Sequence, residues 1–298
     1  EQGDFVQCGV RIQEEKTGGY ILDQVNYLEE VQEIQISRDR KRYPKEETTE
    51  KEKTELRGLL GALSWHTSQV GYRFSAYVSL YLSEVSRSTV QTLLDVNSLF
   101  HKMKSVSKEP MRIFPFDVSE QPEIFCWTDA SSQNRHDGSS TKGIFIGMSG
   151  KRLEMGEVDR VSPWFWQSGK IDRVCRSPGS AEARAMVDGE DILYLLRFQW
   201  SEIMGHMPDL HDIDTHVAKV GGVMITDSRN AYDHLDKPYI TPKGKERRVD
   251  LEMLTVKESQ NRTGLKVRWV SSQAMLANTL TKKDEDIQMS KFIQLGQH

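Results

Sequence analysis

Three acidic residues of this chain stand in settings that would let a folded protein use them together. Asp129 follows Ile-Phe-Cys-Trp-Thr, Glu182 lies in Ser-Ala-Glu-Ala-Arg, and Asp227 follows Val-Met-Ile-Thr. Two of these settings are typical of strand ends, and the third is typical of the first turns of a helix. Carboxylate oxygens are the ligands that Mg²⁺ prefers, and two metals about 3.5–4 Å apart can hydrolyse phosphodiesters. The three acids therefore predict a divalent-metal site with that chemistry.

Each acid taken alone also has an explanation that needs no metal. An aspartate after a strand is common because its side chain stabilises turns, and a glutamate in the first turn of a helix interacts favourably with the helix dipole. The order of the three acids favours the metal site. Adjacent strands would bring Asp129 and Asp227 to one edge of a sheet, and the helix that carries Glu182 must cross that sheet.

The elements that position these acids lie in the second part of the chain. We predict strands at 124–128, 142–148, 161–167, 222–226 and 266–270. We predict helices at 177–204, 228–235, 247–260 and 274–281. Pro163 indicates that the third strand is an edge strand or contains a bulge. Three strands in succession, followed by alternation, predict a mixed α/β fold with a five-stranded mixed sheet flanked by helices.

The first part of the chain has a different pattern. Its predicted elements are a β-hairpin of strands 5–13 and 20–23, a helix within 23–36, a charged connector at 38–53 and a helical block from 56 to 100. Pro110 and Pro115 then indicate a boundary. We therefore predict two domains, residues 1–115 and 116–298.

Composition narrows the classes of function. The net charge of the 298 residues is −4 and the pI is near 6.1, so any contact with nucleic acid must be local, as at the basic runs 38–43 and 243–248. The three cysteines form no CxxC pair, which argues for a reducing compartment and against a disulfide framework or a zinc ribbon. No apolar run approaches ~18 residues, and no signal-peptide pattern is present. We expect an intracellular protein, in the cytoplasm or nucleus, that does not enter a membrane.

Several short motifs resemble the ribonuclease H domain of copia-type LTR-retrotransposon polyproteins, in the same order over residues 123–283. They are Trp127-Thr-Asp-Ala-Ser131, Ser180-Ala-Glu-Ala183, Thr226-Asp-Ser-Arg-Asn-Ala231, Arg268-Trp-Val-Ser-Ser272 and Leu276-Ala-Asn-Thr-Leu-Thr-Lys282. Upstream, residues 9–12 and 21–27 resemble the hairpin after the polymerase active site of these polyproteins, and residues 59–65 resemble the start of their thumb and connection. We expect the chain to be part of a longer protein and to lack the polymerase site.

The resemblance implies a ribonuclease H-like domain, preceded by a hairpin and a helical thumb and connection region. It implies hydrolysis of RNA in RNA–DNA hybrids, with Mg²⁺ or Mn²⁺ bound by Asp129, Glu182 and Asp227. The family has its fourth catalytic acid where this chain has Asn278. Asparagine offers one carbonyl oxygen and no charge, so we predict weakened or lost cleavage. Residues 284–286, Asp-Glu-Asp, are alternative acids that lie a turn or more further along the chain.

The resemblance also implies nucleic acid and the remainder of a polymerase polyprotein as partners. The candidate residues for contact with phosphates are Arg229, Asn230, Lys243, Lys245, Arg247 and Arg248. An RNA–DNA hybrid is recognised mainly through its backbone, its groove shape and its 2′-hydroxyls. An alternative of a different class is a catalytically degenerate or co-opted fold that serves as a nucleic-acid-binding or scaffold subunit. Asn278 is the residue that separates the two hypotheses.

Overall fold

The computed structural model describes residues 3–16, 18–116, 121–238, 240, 247–283 and 287–298. The chain has two compact units, Glu1–Ile113 and Phe114–His298. Among the described helices, none combines the length and the apolar character that crossing a membrane requires. The assignment of the first unit to a polymerase thumb and connection region stays a prediction.

The first unit combines a small antiparallel sheet with a helical bundle. Its elements are β1 Phe5–Gln7, β2 Val10–Glu14, β3 Tyr20–Asp23, α1 Val25–Glu30, α2 Arg38–Lys41, α3 Glu50–Gln69, α4 Ser75–Glu84, α5 Val90–Ser105 and β4 Met111–Ile113. The sheet order is β1-β2-β3-β4, with each neighbouring pair antiparallel. Thr49 and Glu52 form a capping box that starts α3. The α3 leucines at 56, 59, 60 and 63 are buried, as the sequence predicts.

Two local predictions for this unit were wrong. The single strand expected at 5–13 is two strands, because Cys8 and Gly9 adopt positive φ values of 52° and 78° and turn the chain back on itself. The helix expected within 23–36 ends at Glu30, and Val31 is already extended with ψ of 135°. The remaining apolar side chains of that stretch still pack into the helical core, which explains their helix-like spacing.

The second unit is built on a mixed sheet. Its elements are β5 Glu123–Ser131, β6 Thr141–Ser149, α6 Lys151–Glu154, β7 Val161–Lys170, α7 Pro178–Ile203, α8 Ile213–Val217, β8 Gly222–Thr226, α9 Arg229–Asp236, α10 Arg247–Thr263, β9 Lys266–Trp269 and α11 Ile287–Leu295. The sheet order is β7-β6-β5-β8-β9. Strand β6 is antiparallel to both β7 and β5, whereas β8 runs parallel to both β5 and β9. The predicted mixed α/β fold with a five-stranded mixed sheet is confirmed.

Helix α7 crosses the central strand β5 at very short range. The first seven residues of β5 are all buried, as expected for a central strand covered on both faces. Gly189 of α7 lies so close to the sheet that an added Cβ would come within 2.5 Å of the Thr128 side chain. Three buried alanines, at 181, 183 and 185, occupy the preceding turns of α7. Small residues therefore bring the start of α7 close to the end of β5.

Pro163 has the position that the sequence predicts. Strand β7 is an edge strand, and its pairing with β6 shifts register between Ile146 and Gly147, opposite Pro163. Since proline cannot donate a ladder hydrogen bond, an edge position with a bulge accommodates it without loss.

The prediction of a helix at 274–281 was wrong. The chain forms two 3₁₀ turns there, Ser272–Ala274 and Leu276–Leu280, with extended Met275 between them, and the helix α11 follows. The second turn packs on Gly143 of β6, where an added Cβ would come within 2.8 Å of the Ala277 carbonyl oxygen. This packing fixes a turn that carries Asn278 next to the end of β5.

Candidate metal centre

Asp129 lies near the end of β5 and is 3% exposed. It pairs with Gly143 of β6, the residue on which the 3₁₀ turn packs. The hydroxyl of Thr281, which follows that turn, donates a hydrogen bond to Oδ2 of Asp129. The carboxylate is thus held on one side by a side-chain hydroxyl within the core of the unit.

Glu182 lies in the second turn of α7, and its position is fixed by the start of that helix. Ser177 and Ser180 form a reciprocal cap, and Pro178 occupies the first turn. The backbone N–H of Ala130 donates to Oε1 of Glu182 at 3.3 Å. Oε2 is buried and has no hydrogen-bond partner among the described residues. A buried carboxylate oxygen without a partner is costly, and a bound cation would satisfy it.

Asp227 follows β8 directly. Because Trp127 of β5 pairs with Ile225 of the parallel strand β8, Asp129 and Asp227 are both two residues beyond a paired position. The Ser272 hydroxyl donates to Oδ2 of Asp227 at 2.6 Å. The indole N–H of Trp269 donates to the backbone carbonyl of Asp227 at 3.0 Å, which fixes the chain after the strand.

The three carboxylates converge, and we call them the acidic cluster: Asp129, Glu182 and Asp227. Each offers an oxygen, and these oxygens all lie within 4.8 Å of one another. Three acids from three different elements, with one unpartnered buried oxygen among them, fit a hard divalent cation that prefers oxygen ligands. The metal site predicted from the sequence stays a proposal, but its ligands are within reach of one ion.

Burial and mutual repulsion disfavour negative charge in the acidic cluster. Burial raises the pKa of Asp129 to about 6, against the hydrogen bond from Thr281 and the nearby charge of Lys282, which lower it. Burial, and then the negative charges of Asp129 and Asp227, raise the pKa of Glu182 to about 9. Without a cation the cluster therefore retains a proton on Glu182 near neutral pH, and a bound divalent ion would displace it.

Asn278 lies in the Leu276–Leu280 turn, and its side chain is already hydrogen-bonded. Its Nδ2 donates to the Ser272 carbonyl at 2.7 Å, and its Oδ1 accepts from the Lys282 ammonium at 3.4 Å. Ser272 in turn bonds Asp227, and Thr281 bonds both Asp129 and the Asn278 carbonyl. Among the described contacts, Asn278 is therefore connected to the acidic cluster only through other residues.

The predicted phosphate contacts have different outcomes. Arg229 and Asn230 are exposed at the start of α9. Arg229 forms an ion pair with Asp233 at 2.9 Å, and its guanidinium lies 5.5 Å from the centroid of the Trp269 ring. Arg247 and Arg248 are exposed at the start of α10. The remaining candidates, Lys243 and Lys245, lie outside the described residues, as do the alternative acids at 284–286.

Sequence reasoning missed the residues that orient the acidic cluster. Ser272, Thr281 and Lys282 lie in the segments 268–272 and 276–282, and the sequence predicts no separate role for them. In the structure, Ser272 and Thr281 donate hydrogen bonds to Asp227 and Asp129, and the charge of Lys282 lowers the pKa of Glu182. The available signal was the density of hydroxyl and amide side chains between 271 and 282. Nothing in that spacing says which hydroxyl reaches which acid.

No protein-family model matches the sequence, and no curated protein matches it. One similar solved structure is LC11-RNase H1 in complex with an RNA/DNA hybrid, a protein isolated from compost by a metagenomic approach. It is 13% identical to this chain, and the match covers 53% of this chain and 94% of LC11-RNase H1, with a TM-score of 0.35. The N-terminal ribonuclease H domain of a Mycobacterium tuberculosis protein is 13% identical to this chain. The match covers 58% of this chain and 96% of the other, with a TM-score of 0.33. The prototype foamy virus protease-reverse transcriptase is 13% identical to this chain. The match covers 56% of this chain and 21% of the viral protein, with a TM-score of 0.34. The mixed sheet with flanking helices is the mixed α/β architecture that the sequence predicts.

Proposed function

We propose that the second unit is a ribonuclease H-type nuclease from a copia-type retroelement polyprotein, acting on RNA in RNA–DNA hybrids. The observation that carries this proposal is the acidic cluster, in which three carboxylates from β5, α7 and the end of β8 lie within 4.8 Å of one another. Such convergence suits the binding of divalent cations at a phosphodiester.

Asp129, Glu182 and Asp227 would hold the metal, Mg²⁺ or Mn²⁺. Bound metal ions supply activation of the attacking water and stabilisation of the departing oxygen in a two-metal hydrolysis. The residues of the chain contribute orientation. The Ala130 N–H directs Glu182, the Thr281 hydroxyl directs Asp129, and the Ser272 hydroxyl directs Asp227. These hydrogen bonds hold the three carboxylates in place before a cation arrives, which reduces the cost of organising the site.

Asn278 favours a weakened activity. A neutral amide adds no charge to offset a second divalent cation, and its Oδ1 already accepts from Lys282. The second candidate function, a co-opted unit that binds nucleic acid or acts as a scaffold without cleaving, has the same observation in its favour. Both functions keep the fold, and they differ in whether three acids suffice for turnover.

Nucleic acid and the remainder of a polymerase polyprotein are the proposed partners. Arg229, Asn230, Arg247 and Arg248 are the described candidates for backbone phosphates, and all four are exposed. Guanidinium groups match phosphate geometry and keep their charge at any physiological pH. The first unit would then serve as hairpin, thumb and connection next to a polymerase, in an intracellular and reducing compartment.

Cleavage of a labelled RNA–DNA hybrid in Mg²⁺ and in Mn²⁺ tests the proposal. The wild-type chain, Asp129→Asn and Asn278→Asp are compared, with Asp236→Asn as the control because Asp236 is an exposed acid of α9 outside the acidic cluster. We expect weak wild-type cleavage, none in Asp129→Asn and a gain in Asn278→Asp. If Asn278→Asp gains nothing and Asp129→Asn loses nothing, the nuclease proposal fails. If neither the wild type nor Asn278→Asp cleaves, the non-cleaving function replaces it.

A further inference from the structure

A cavity rich in arginine lies between the segment that precedes α7 and the starts of α7 and α10. Its volume is about 830 Å³. The charged residues that line it are Arg173, Arg176, Arg184, Arg247, Arg248 and Glu252. We call it the arginine cavity. Five guanidinium groups face one carboxylate, so the cavity has an excess of positive charge in a chain whose net charge is −4.

Acidic side chains offset only part of that charge. Glu252 pairs with Arg173 at 3.3 Å and lies 4.0 Å from Arg184, which also pairs with Asp188 at 2.9 Å. The other three guanidinium groups form no ion pair with any residue that the structure describes; they belong to Arg176, Arg247 and Arg248. Like charges gathered without acids repel one another, so an anionic ligand would relieve the repulsion.

The arginine cavity has a defined relation to the acidic cluster. Ser180 and Arg184 line the cavity and are one helical turn apart on α7. Glu182 lies midway between them, about 200° away around the helix axis, and accepts its hydrogen bond from Ala130 of β5. The cavity and the acidic cluster therefore lie on opposite sides of the first turns of α7. A ligand phosphate in the cavity is not the phosphate presented to the acids.

We propose that the arginine cavity binds backbone phosphates of a nucleic acid, at nucleotides other than the one whose phosphodiester reaches the acidic cluster. Arginine binds phosphate through two parallel N–H···O bonds, and several such contacts in one groove suit a chain of phosphates better than a single anion. The proposal deepens the proposed function and rests on it for the choice of nucleic acid. It adds Arg173, Arg176 and Arg184 to the two exposed arginines of α10.

Binding measured without metal separates this proposal from catalysis. A fluorescein-labelled RNA–DNA hybrid is titrated with the full chain in EDTA, by fluorescence anisotropy, over a series of salt concentrations. The test variant is R176A/R247A/R248A. The control is K151A/K219A/K291A, which removes the same charge from exposed lysines of the second unit that form no described ion pair. Circular dichroism and thermal unfolding establish that both variants are folded.

The test variant should bind about tenfold or more weakly at moderate salt, and the slope of log K against log[salt] should become shallower by about 2 to 3, since each lost phosphate contact removes about 0.7–0.9 from it. The control should keep its affinity within about twofold and its slope within about 0.7–0.9, the contribution of a single phosphate contact. Wild-type affinity and slope in the test variant would overturn the proposal, and so would an equal loss in the control. A poly-glutamate peptide that binds as tightly, with the same arginine dependence, would overturn the assignment to nucleic acid.

Failure of the proposed function gives a different result. If no variant cleaves the hybrid but binding depends on the three arginines, the nuclease proposal fails and the arginine cavity stands. If the wild type cleaves and R176A/R247A/R248A both cleaves and binds as the wild type does, the nuclease proposal stands and the cavity assignment fails.

Discussion

The acidic cluster and the arginine cavity lie on opposite sides of the first turns of α7. The cluster gathers negative groups that are largely buried, whereas the cavity gathers positive groups that are mostly exposed to water. Asp129 is 3% exposed, and burial raises the pKa of two acids in its cluster. Arg247 and Arg248 are exposed at the start of α10, where water screens their repulsion. Burial makes the acidic cluster depend on a cation or on protons, whereas exposure makes the arginine cavity depend on salt. The two regions should therefore respond to different variables.

The largest expected effect comes from Asp129→Asn. Loss of a residue that merely orients a metal ligand costs about 10- to 100-fold, so loss of a buried ligand should reduce Mg²⁺-dependent cleavage of the hybrid by more than about 100-fold. Hybrid binding in EDTA should be unchanged, because the arginine cavity is intact. The measurement is initial cleavage rate together with anisotropy, and Asp236→Asn is the control. A parallel loss of binding would show that the two regions are not separate.

Glu182→Gln tests the charge state of the cluster through stability. The folded pKa of Glu182, about 9, is above its unfolded value, so the stabilisation linked to this group is complete below the unfolded pKa and is lost as pH rises to about 9. Metal-free Glu182→Gln lacks this loss. It should be more stable than the wild type by an amount that grows between pH 5 and 9, by up to about 1.4 kcal/mol per pH unit.

Urea unfolding in EDTA at several pH values measures this difference. The control is Glu202→Gln, an exposed acid near the end of α7, whose effect should not change with pH. Equal pH dependence in the wild type and in Glu182→Gln would contradict a protonated Glu182.

Asn278→Asp tests whether the missing fourth carboxylate limits metal binding at the acidic cluster. A fourth carboxylate raises the ligand charge, and Mg²⁺ should bind about tenfold more tightly with a matching gain in cleavage at low Mg²⁺. The matched control is Asn261→Asp, an added carboxylate at an exposed position near the end of α10. If Asn278→Asp leaves both the Mg²⁺ midpoint and the rate unchanged, the missing acid is not what limits this chain.

Thr281→Val should have the smallest effect. The hydroxyl of Thr281 lowers the pKa of Asp129, so its removal should move the acidic limb of the pH–rate profile to higher pH. The loss of rate at neutral pH should be about tenfold or less, because the carboxylate itself remains. Thr281→Ser keeps the hydroxyl and should retain the wild-type profile. An unshifted profile in Thr281→Val would rule out this orienting role.

Much of the second unit could be predicted from its sequence because its signals are local. The apolar run of β5, the alternation with helices and the Ser-Pro start of α7 each depend on neighbouring residues, and they placed Asp129, Glu182 and Asp227 at the right ends of their elements. What failed depends on distant contacts. The turn at Leu276–Leu280 packs on Gly143, more than a hundred residues earlier, and that packing gives a 3₁₀ turn in place of the predicted helix.

The arginine cavity shows the same limit for function. Arg247 and Arg248 were predicted to contact phosphate because they stand in a basic run, which is a local signal. Arg173, Arg176 and Arg184 are separated by mostly small, uncharged residues, so they do not form a basic run. Only the packing of α10 near the start of α7 brings the two groups to one cavity.

Calorimetric titration of Mn²⁺ into the metal-free chain tests the central claim most directly. At pH 7 Glu182, with a pKa of about 9, is protonated, so binding to the acidic cluster should release about one proton per site, measured as a difference in heat between two buffers of unlike ionisation enthalpy. Asp129→Asn should abolish the binding, and Asp236→Asn should leave it intact. Absence of Mn²⁺ binding by the wild type, or equal binding by Asp129→Asn, would contradict a metal centre at these three carboxylates.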